Sequence, residues 1–137
     1  MARDNLHLTL AFLGDLSAER VADARAAADG LAAGSFELRL DRLGYWKHNR
    51  ILWAGGESAP LTALATALAE RLRARSFRLD ERPFAAHVTL LRDARCPALP
   101  ALAEALAWPV AEFVLARSPE PGKVGAYEIV GRWPLGE

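Results

Sequence analysis

Hydrophobic and polar residues alternate along several short stretches of the chain, which is the pattern of half-buried β-strands. Residues 36–41 alternate Phe, Leu and Leu with Glu, Arg and Asp, and an apolar run fills most of 50–54. Apolar residues also surround His7 and His87 and predict a strand at each histidine. The other predicted strands, beside the first over 6–13, are 77–79, 110–116 and 127–133.

Three other stretches are predicted to be helical. Ser17 is expected to be the N-cap of the first helix, because its side chain can accept a hydrogen bond from the first turn. The apolar stripe of this helix is Val21, Ala24, Ala28 and Leu31. The leucine spacing between residues 61 and 72 predicts a second amphipathic helix that ends near residue 75. A short third helix is expected over 97–107.

The order of these elements repeats. A strand, a helix and two strands follow His7, and the same order follows His87, which suggests an internal duplication. We therefore predict one α+β domain over 1–137, with two lobes formed by 1–57 and 58–137 and antiparallel sheets around a central cleft. Only six residues precede His7, whereas a helix and a short strand precede His87. Either the first half is shortened, or another chain supplies the missing piece.

The two predicted histidine strands share a four-residue frame, with His7 in His-Leu-Thr-Leu and His87 in His-Val-Thr-Leu. Side chains alternate between the faces of a strand, so each histidine shares a face with the threonine two residues on, Thr9 or Thr89. Two imidazoles and two hydroxyls can then converge on one small anion. An imidazole can act as acid or base near neutral pH, so the frames predict an acid–base site. The alternative is that both histidines are structural residues of the core, hydrogen-bonded there, that happen to precede a threonine.

Composition narrows the classes of function. The chain has 137 residues, 52% of them hydrophobic, with 17 basic and 17 acidic residues. The balanced charge argues against a protein that coats nucleic acid with a generally basic surface, but it allows a local basic patch. The single cysteine excludes a disulfide framework and a cysteine metal cluster. Neither a signal peptide nor an apolar run of membrane length is visible, so a cytoplasmic protein without membrane contact is expected.

Four segments resemble a known family. They are 5–14 and 82–92, which contain the two histidine frames, 50–55 (Arg-Ile-Leu-Trp-Ala-Gly), and 127–135 at the C-terminal end. Together they resemble the bacterial RNA 2′,3′-cyclic phosphodiesterases, also called 2′-5′ RNA ligases, of the two-histidine (2H) phosphoesterase superfamily. One His-x-Thr frame would be weak evidence, but two with matching flanks are specific. Family members usually begin earlier, and their N-terminal strand and helix are missing here.

The resemblance implies a reaction and a set of roles. It implies hydrolysis of a 2′,3′-cyclic phosphate at RNA, oligonucleotide or nucleotide ends to a 2′-phosphate, with possible 2′-5′ ligation in reverse. His87 is then the base that activates water, and His7 the acid that protonates the leaving 3′ oxygen. Pseudo-symmetry makes these two roles easy to exchange. Thr9 and Thr89 can donate hydrogen bonds to the non-bridging oxygens. No metal or cofactor is required.

Four further residues are weaker candidates for substrate contacts. Arg92 matches a substrate-binding arginine of the family, although strict alternation places it on the face opposite His87. Phe12, Tyr45 and Trp46 can stack a base, but each is individually more typical of a core residue. His48 falls in a predicted polar turn, and Trp53 is expected in the core.

Two other classes of function remain as alternatives. A non-catalytic nucleotide- or phosphate-binding module would use the same cleft, although a binder needs no acid–base pair. A metal hydrolase with two histidine ligands is disfavoured, because neither His7 nor His87 has a carboxylate or cysteine at ligand spacing. The natural substrate stays open. So does the oligomeric state, monomer or dimer, the latter possible through an incomplete N-terminal lobe.

Overall fold

The computed structural model of the protein describes residues 7–79, 84, 86–91, 105–117 and 127–136. Arg92 lies outside these ranges, as does most of the helix predicted over 97–107. The described part is an α+β fold with antiparallel sheets, which confirms the predicted fold class. No helix in these ranges combines the length and the apolar character needed to cross a membrane.

Two helices occur in the described part, α1 at Ala18–Asp29 and α2 at Ala59–Ala74. Serine caps both, because the side chain of Ser17 accepts from the Arg20 backbone N–H and that of Ser58 from the Leu61 N–H, each at 3.2 Å. The predicted start of the first helix is therefore confirmed. The helices pack through small residues on α1 and leucines on α2. Their shared core contains Ala24, Ala27, Ala28, Leu64, Leu68, Leu72, Phe77 and Phe113.

Seven strands are described, and they form three antiparallel sheets. A two-stranded sheet pairs β1 with β5, a three-stranded sheet has the order β2-β3-β4, and a second two-stranded sheet pairs β6 with β7. The strands are β1 Phe36–Leu40, β2 Arg42–Trp46, β3 Ile51–Gly55, β4 His87–Leu91, β5 Leu106–Val110, β6 Glu112–Arg117 and β7 Glu128–Pro134.

The sheets join the two predicted halves of the chain. β1 pairs with β5, and β3 with β4, so each pairing links a strand of 1–57 to a strand of 58–137. The duplication itself stays a prediction. A second core cluster lies against these sheets and contains Leu38, Leu40, Ala54, Leu61 and Val88.

Four details differ from the predicted elements. β2 was not predicted, because its charged Arg42 and its Gly44 interrupt the apolar pattern. The strand predicted over 77–79 is wrong: Phe77 is buried because the chain turns back after α2, where its N–H donates to the Leu72 carbonyl. Leu106 and Ala107 belong to β5 rather than to a helix, since they pair with β1. The strand predicted around His7 is reduced to a single bridge.

Candidate active site

Both histidine frames lie side by side in the structure. The segment that contains His7 runs antiparallel to β4, and its Leu8 forms a bridge with Val88. In that register Thr89 lies across from His7, and His87 lies across from Thr9. Because neighbours of a bridged pair point to the other face, all four polar side chains share one face. We call the face that carries them the motif face.

The opposite face of this pair of segments is anchored in the core. Val88 is 5% exposed and belongs to the second cluster, and Leu8, Leu10 and Leu90 pack against it. Ala54 of β3, the partner of Val88, is buried in the same cluster. A slip of one residue would bury the histidines and expose the leucines. The apolar residues of the frames therefore fix which face carries the histidines.

His7 carries an aromatic neighbour on the motif face. Its ring centroid lies 4.8 Å from that of Tyr127, with the two ring planes at 70°. Tyr127 directly precedes β7 and is half-buried. Local sequence patterns do not single out Tyr127, because 120 positions separate it from His7 (127 minus 7).

His87 carries the same kind of neighbour. Its ring centroid lies 4.8 Å from that of Trp46, at an interplanar angle of 72°. Trp46 ends β2 and is itself 5.4 Å from the ring of Trp53. Both histidines and Thr89 are half-buried, while Thr9 is exposed. The motif face is therefore most accessible at Thr9 and is lined by aromatic rings beside the histidines.

Trp53 lies flat on the motif face, where two glycines make room for it. A Cβ on Gly44 would lie 2.0 Å from an atom of the Trp53 ring, and one on Gly55 would lie 2.9 Å from it. Its indole Nε1 is buried and has no hydrogen-bond partner among the described residues. Trp53 was expected in the core, and it is half-buried on the sheet beneath Trp46 instead.

The remaining candidates are spread around this centre. Phe12 is 79% exposed in the segment that follows Thr9. Tyr45 alternates with Trp46 along β2 and therefore points to the face opposite the motif face. His48 is exposed, as expected, in the turn after β2. Within the described ranges, no three His, Cys, Asp or Glu side chains are grouped closely enough to hold a metal ion.

Comparison with known proteins decides the family. A model of the 2′-5′ RNA ligase superfamily matches residues 1–118. The chain belongs to this superfamily. The family resemblance inferred from the four sequence segments is therefore confirmed.

Members of this superfamily from several organisms are similar to the chain. The RNA 2′,3′-cyclic phosphodiesterase of Escherichia coli K12 is 36% identical over 140 residues, which cover 98% of this chain and 78% of that protein. That of Thermus thermophilus is 33% identical and covers 95% of this chain and 72% of that protein. The crystal structure of E. coli LigT with 3′-AMP superposes with a TM-score of 0.90, at 35% identity, over 99% of this chain and 80% of that one.

Proposed function

We propose that the protein hydrolyses 2′,3′-cyclic phosphodiesters at the ends of RNA, oligonucleotides or nucleotides and leaves a 2′-phosphate. The observation that carries the proposal is the register of the two frames, in which the Leu8–Val88 bridge brings His7, Thr9, His87 and Thr89 to one face. Similar proteins named RNA 2′,3′-cyclic phosphodiesterase in four organisms support the same reaction.

The two histidines act as a base and an acid. His87 accepts a proton from water while the water oxygen attacks phosphorus in line with the 3′ oxygen. The bond between phosphorus and the 3′ oxygen breaks, and His7 donates its proton to that oxygen. The 2′-phosphate is retained on the product, and proton exchange with solvent restores both imidazoles. With a 5′ hydroxyl in place of water as the nucleophile, the same steps in the same direction would form a 2′-5′ linkage and release the 3′ hydroxyl.

Thr9 and Thr89 stabilise the negative charge that develops on the non-bridging oxygens. Each hydroxyl can donate one hydrogen bond, and the two threonines flank the histidines across the bridge. Phe12 is the candidate platform for a base, because 79% exposure leaves its ring free to stack. Trp46 is a second candidate for stacking. Arg92, outside the described residues, is retained as a candidate phosphate contact.

Phosphorus NMR tests the reaction most simply. The purified protein, in EDTA, is incubated with each of the four nucleoside 2′,3′-cyclic monophosphates, and the products are identified. Conversion to the 2′-phosphate is expected, since an imidazole pair needs no metal. His7→Gln and His87→Gln are expected to abolish it. His48→Gln is the histidine control outside both frames; because its exposed ring lies 6.4 Å from that of Trp46, at most a small loss of turnover is expected for it.

Three outcomes would contradict the proposal. Loss of turnover in EDTA would point to a metal hydrolase, and a 3′-phosphate product would reverse the assigned leaving group. A folded protein that binds a 2′-nucleotide without turning over any cyclic substrate, including a short RNA, would be the non-catalytic module. Cytoplasmic location and the monomeric or dimeric state stay predictions.

A further inference from the structure

We propose that Tyr127 and Trp46 are positioning residues, each of which holds one motif histidine in its working orientation. The two contacts repeat one geometry, with ring centroids 4.8 Å apart at 70° for His7 and Tyr127 and 4.8 Å apart at 72° for His87 and Trp46. Edge-to-face packing at this separation is a preferred arrangement of aromatic rings. Its occurrence at both histidines points to a shared role.

An imidazole needs such a neighbour because its outer torsion is soft. The χ2 angle of histidine has broad minima, so the backbone alone does not fix where the ring nitrogens point. Proton transfer requires a ring nitrogen within about 2.6–3.2 Å of the reacting oxygen. A ring packed against one side of the imidazole narrows the range of χ2, and it thereby holds the nitrogens on the motif face in place.

Trp46 is itself held rigidly. It pairs with Ile51 at the end of the β2–β3 ladder, and its ring leans on Trp53 at 5.4 Å. Trp53 in turn lies on Gly44, where any Cβ would come within 2.0 Å of the ring. The sheet, Trp53, Trp46 and His87 therefore form a continuous packed series. Rigid support of this kind is what a positioning residue requires.

Tyr127 should contribute more to the orientation of His7 than Trp46 contributes to that of His87. It directly precedes β7, whose first residue Glu128 pairs with Arg117 of β6, so the β6–β7 ladder fixes its backbone. His7, by contrast, lies outside any regular strand, while His87 begins β4. The orientation of His7 therefore depends more on side-chain contacts, among them that with the Tyr127 ring. We expect removal of the Tyr127 ring to lower turnover more than removal of the Trp46 ring.

The kinetic test of this inference rests on the proposed function. A positioning role and a base-stacking role predict different effects on a substrate that has no base. The variants are Tyr127→Leu, Tyr127→Phe, Trp46→Leu and Trp46→Phe, with Trp108→Leu as control, since Trp108 lies in the separate β1–β5 sheet. The substrates are cytidine 2′,3′-cyclic phosphate and methyl riboside 2′,3′-cyclic phosphate, which has no base. A base platform can affect only the first, whereas a positioning residue affects both.

We expect both leucine variants to lower kcat by about tenfold to 10²-fold on both substrates, with little change in KM. The phenylalanine variants should recover most of the lost kcat, because they restore a ring. A loss confined to the cytidine substrate, or to KM, would overturn the positioning role. So would a Tyr127→Phe variant as slow as Tyr127→Leu, which would assign the effect to the hydroxyl.

A second measurement does not depend on turnover. NMR of the imidazole C–H groups should show the His87 signals shifted in Trp46→Leu with those of His7 unmoved, and the reverse in Tyr127→Leu. Unmoved signals in both would overturn the inference even if the parent is active. Conversely, the expected shifts in an inactive parent would refute the proposed function and leave the ring contacts standing. The two arms are independent, so one variant that fails to fold leaves the other as a test.

Discussion

The two histidine frames have nearly the same sequence but different backbone settings. His87 begins β4, which runs for five residues and pairs with β3 at four positions. His7 lies in an irregular segment whose described ladder contact is the single bridge between Leu8 and Val88. The His87 frame is thus part of a regular strand of the sheet, whereas the His7 frame lies beside that strand with one bridge. A shared motif therefore specifies which side chains meet, without specifying equal backbone support for them.

The difference follows from what comes after each threonine. Beyond Leu10 the first segment leads through exposed Phe12 to Gly14, whose φ of 75° turns the chain toward the cap of α1. Such a φ lies outside the extended region and is readily adopted by glycine, so the extended segment ends there. β4, in contrast, has β3 on one edge and Leu8 on the other. Side-chain contacts must then supply at His7 what the ladder supplies at His87.

Replacing the histidines should have the largest effect on turnover. The loss should be similar for both frames, despite the difference in backbone support. His7→Gln and His87→Gln are each expected to lower kcat by about 10²- to 10⁴-fold, because each removes one proton-transfer group. The double variant should be little worse than either, since the two groups act as a unit. Steady-state rates on a cyclic nucleotide measure this. Activity within about tenfold of the parent in both single variants would refute the two-histidine mechanism.

Removing the threonine hydroxyls should have the next largest effect. Thr9→Val and Thr89→Val keep the side-chain shape and lose the donor, so kcat should fall by about 10²-fold in each. Thr9→Ser and Thr89→Ser keep the hydroxyl and should stay near the parent rate. A serine variant as slow as its valine counterpart would show that the methyl group and its packing matter, rather than the hydrogen bond.

Truncating the two apolar residues of the bridge should lower the stability of the protein by different amounts. Val88→Ala is expected to lower the free energy of unfolding by about 2 kcal/mol, because Val88 is 5% exposed and belongs to the second core cluster. Leu8→Ala removes a larger side chain from a half-buried site and should cost less. Urea denaturation of both variants measures the difference. A larger loss for Leu8→Ala would mean that the first segment is the firmer one.

The pairing of each histidine with its threonine was easier to predict than the surroundings of the two frames. Local alternation placed each histidine with its threonine, and the β1, β3 and β7 regions and both serine-capped helices followed from periodicity. The Leu8–Val88 register and the contact between His7 and Tyr127 depend on pairing between distant segments, which local patterns do not encode. β2 was missed because Gly44, which weakens the strand signal, is there to admit the Trp53 ring.

The helix caps should give the smallest effect. Ser17→Ala and Ser58→Ala are each expected to cost about 1 kcal/mol of stability, since each removes a hydrogen bond to a first-turn N–H. Ser17 follows the first frame, so its loss should also speed hydrogen exchange at residues 8–13, while Ser58→Ala leaves them unchanged. Equal exchange at these residues in both variants would contradict the looser support assigned to the first segment.

A substrate with a better leaving group tests the division of labour between the histidines most directly. In a nucleoside cyclic phosphate whose 3′ oxygen is replaced by sulfur, the departing group needs no protonation, so the general acid becomes dispensable. This substrate should restore much of the activity of His7→Gln and none of that of His87→Gln. Rescue of His87→Gln alone would exchange the two roles. Rescue of both variants, or of neither, would contradict an acid–base pair with one histidine on each side of phosphorus.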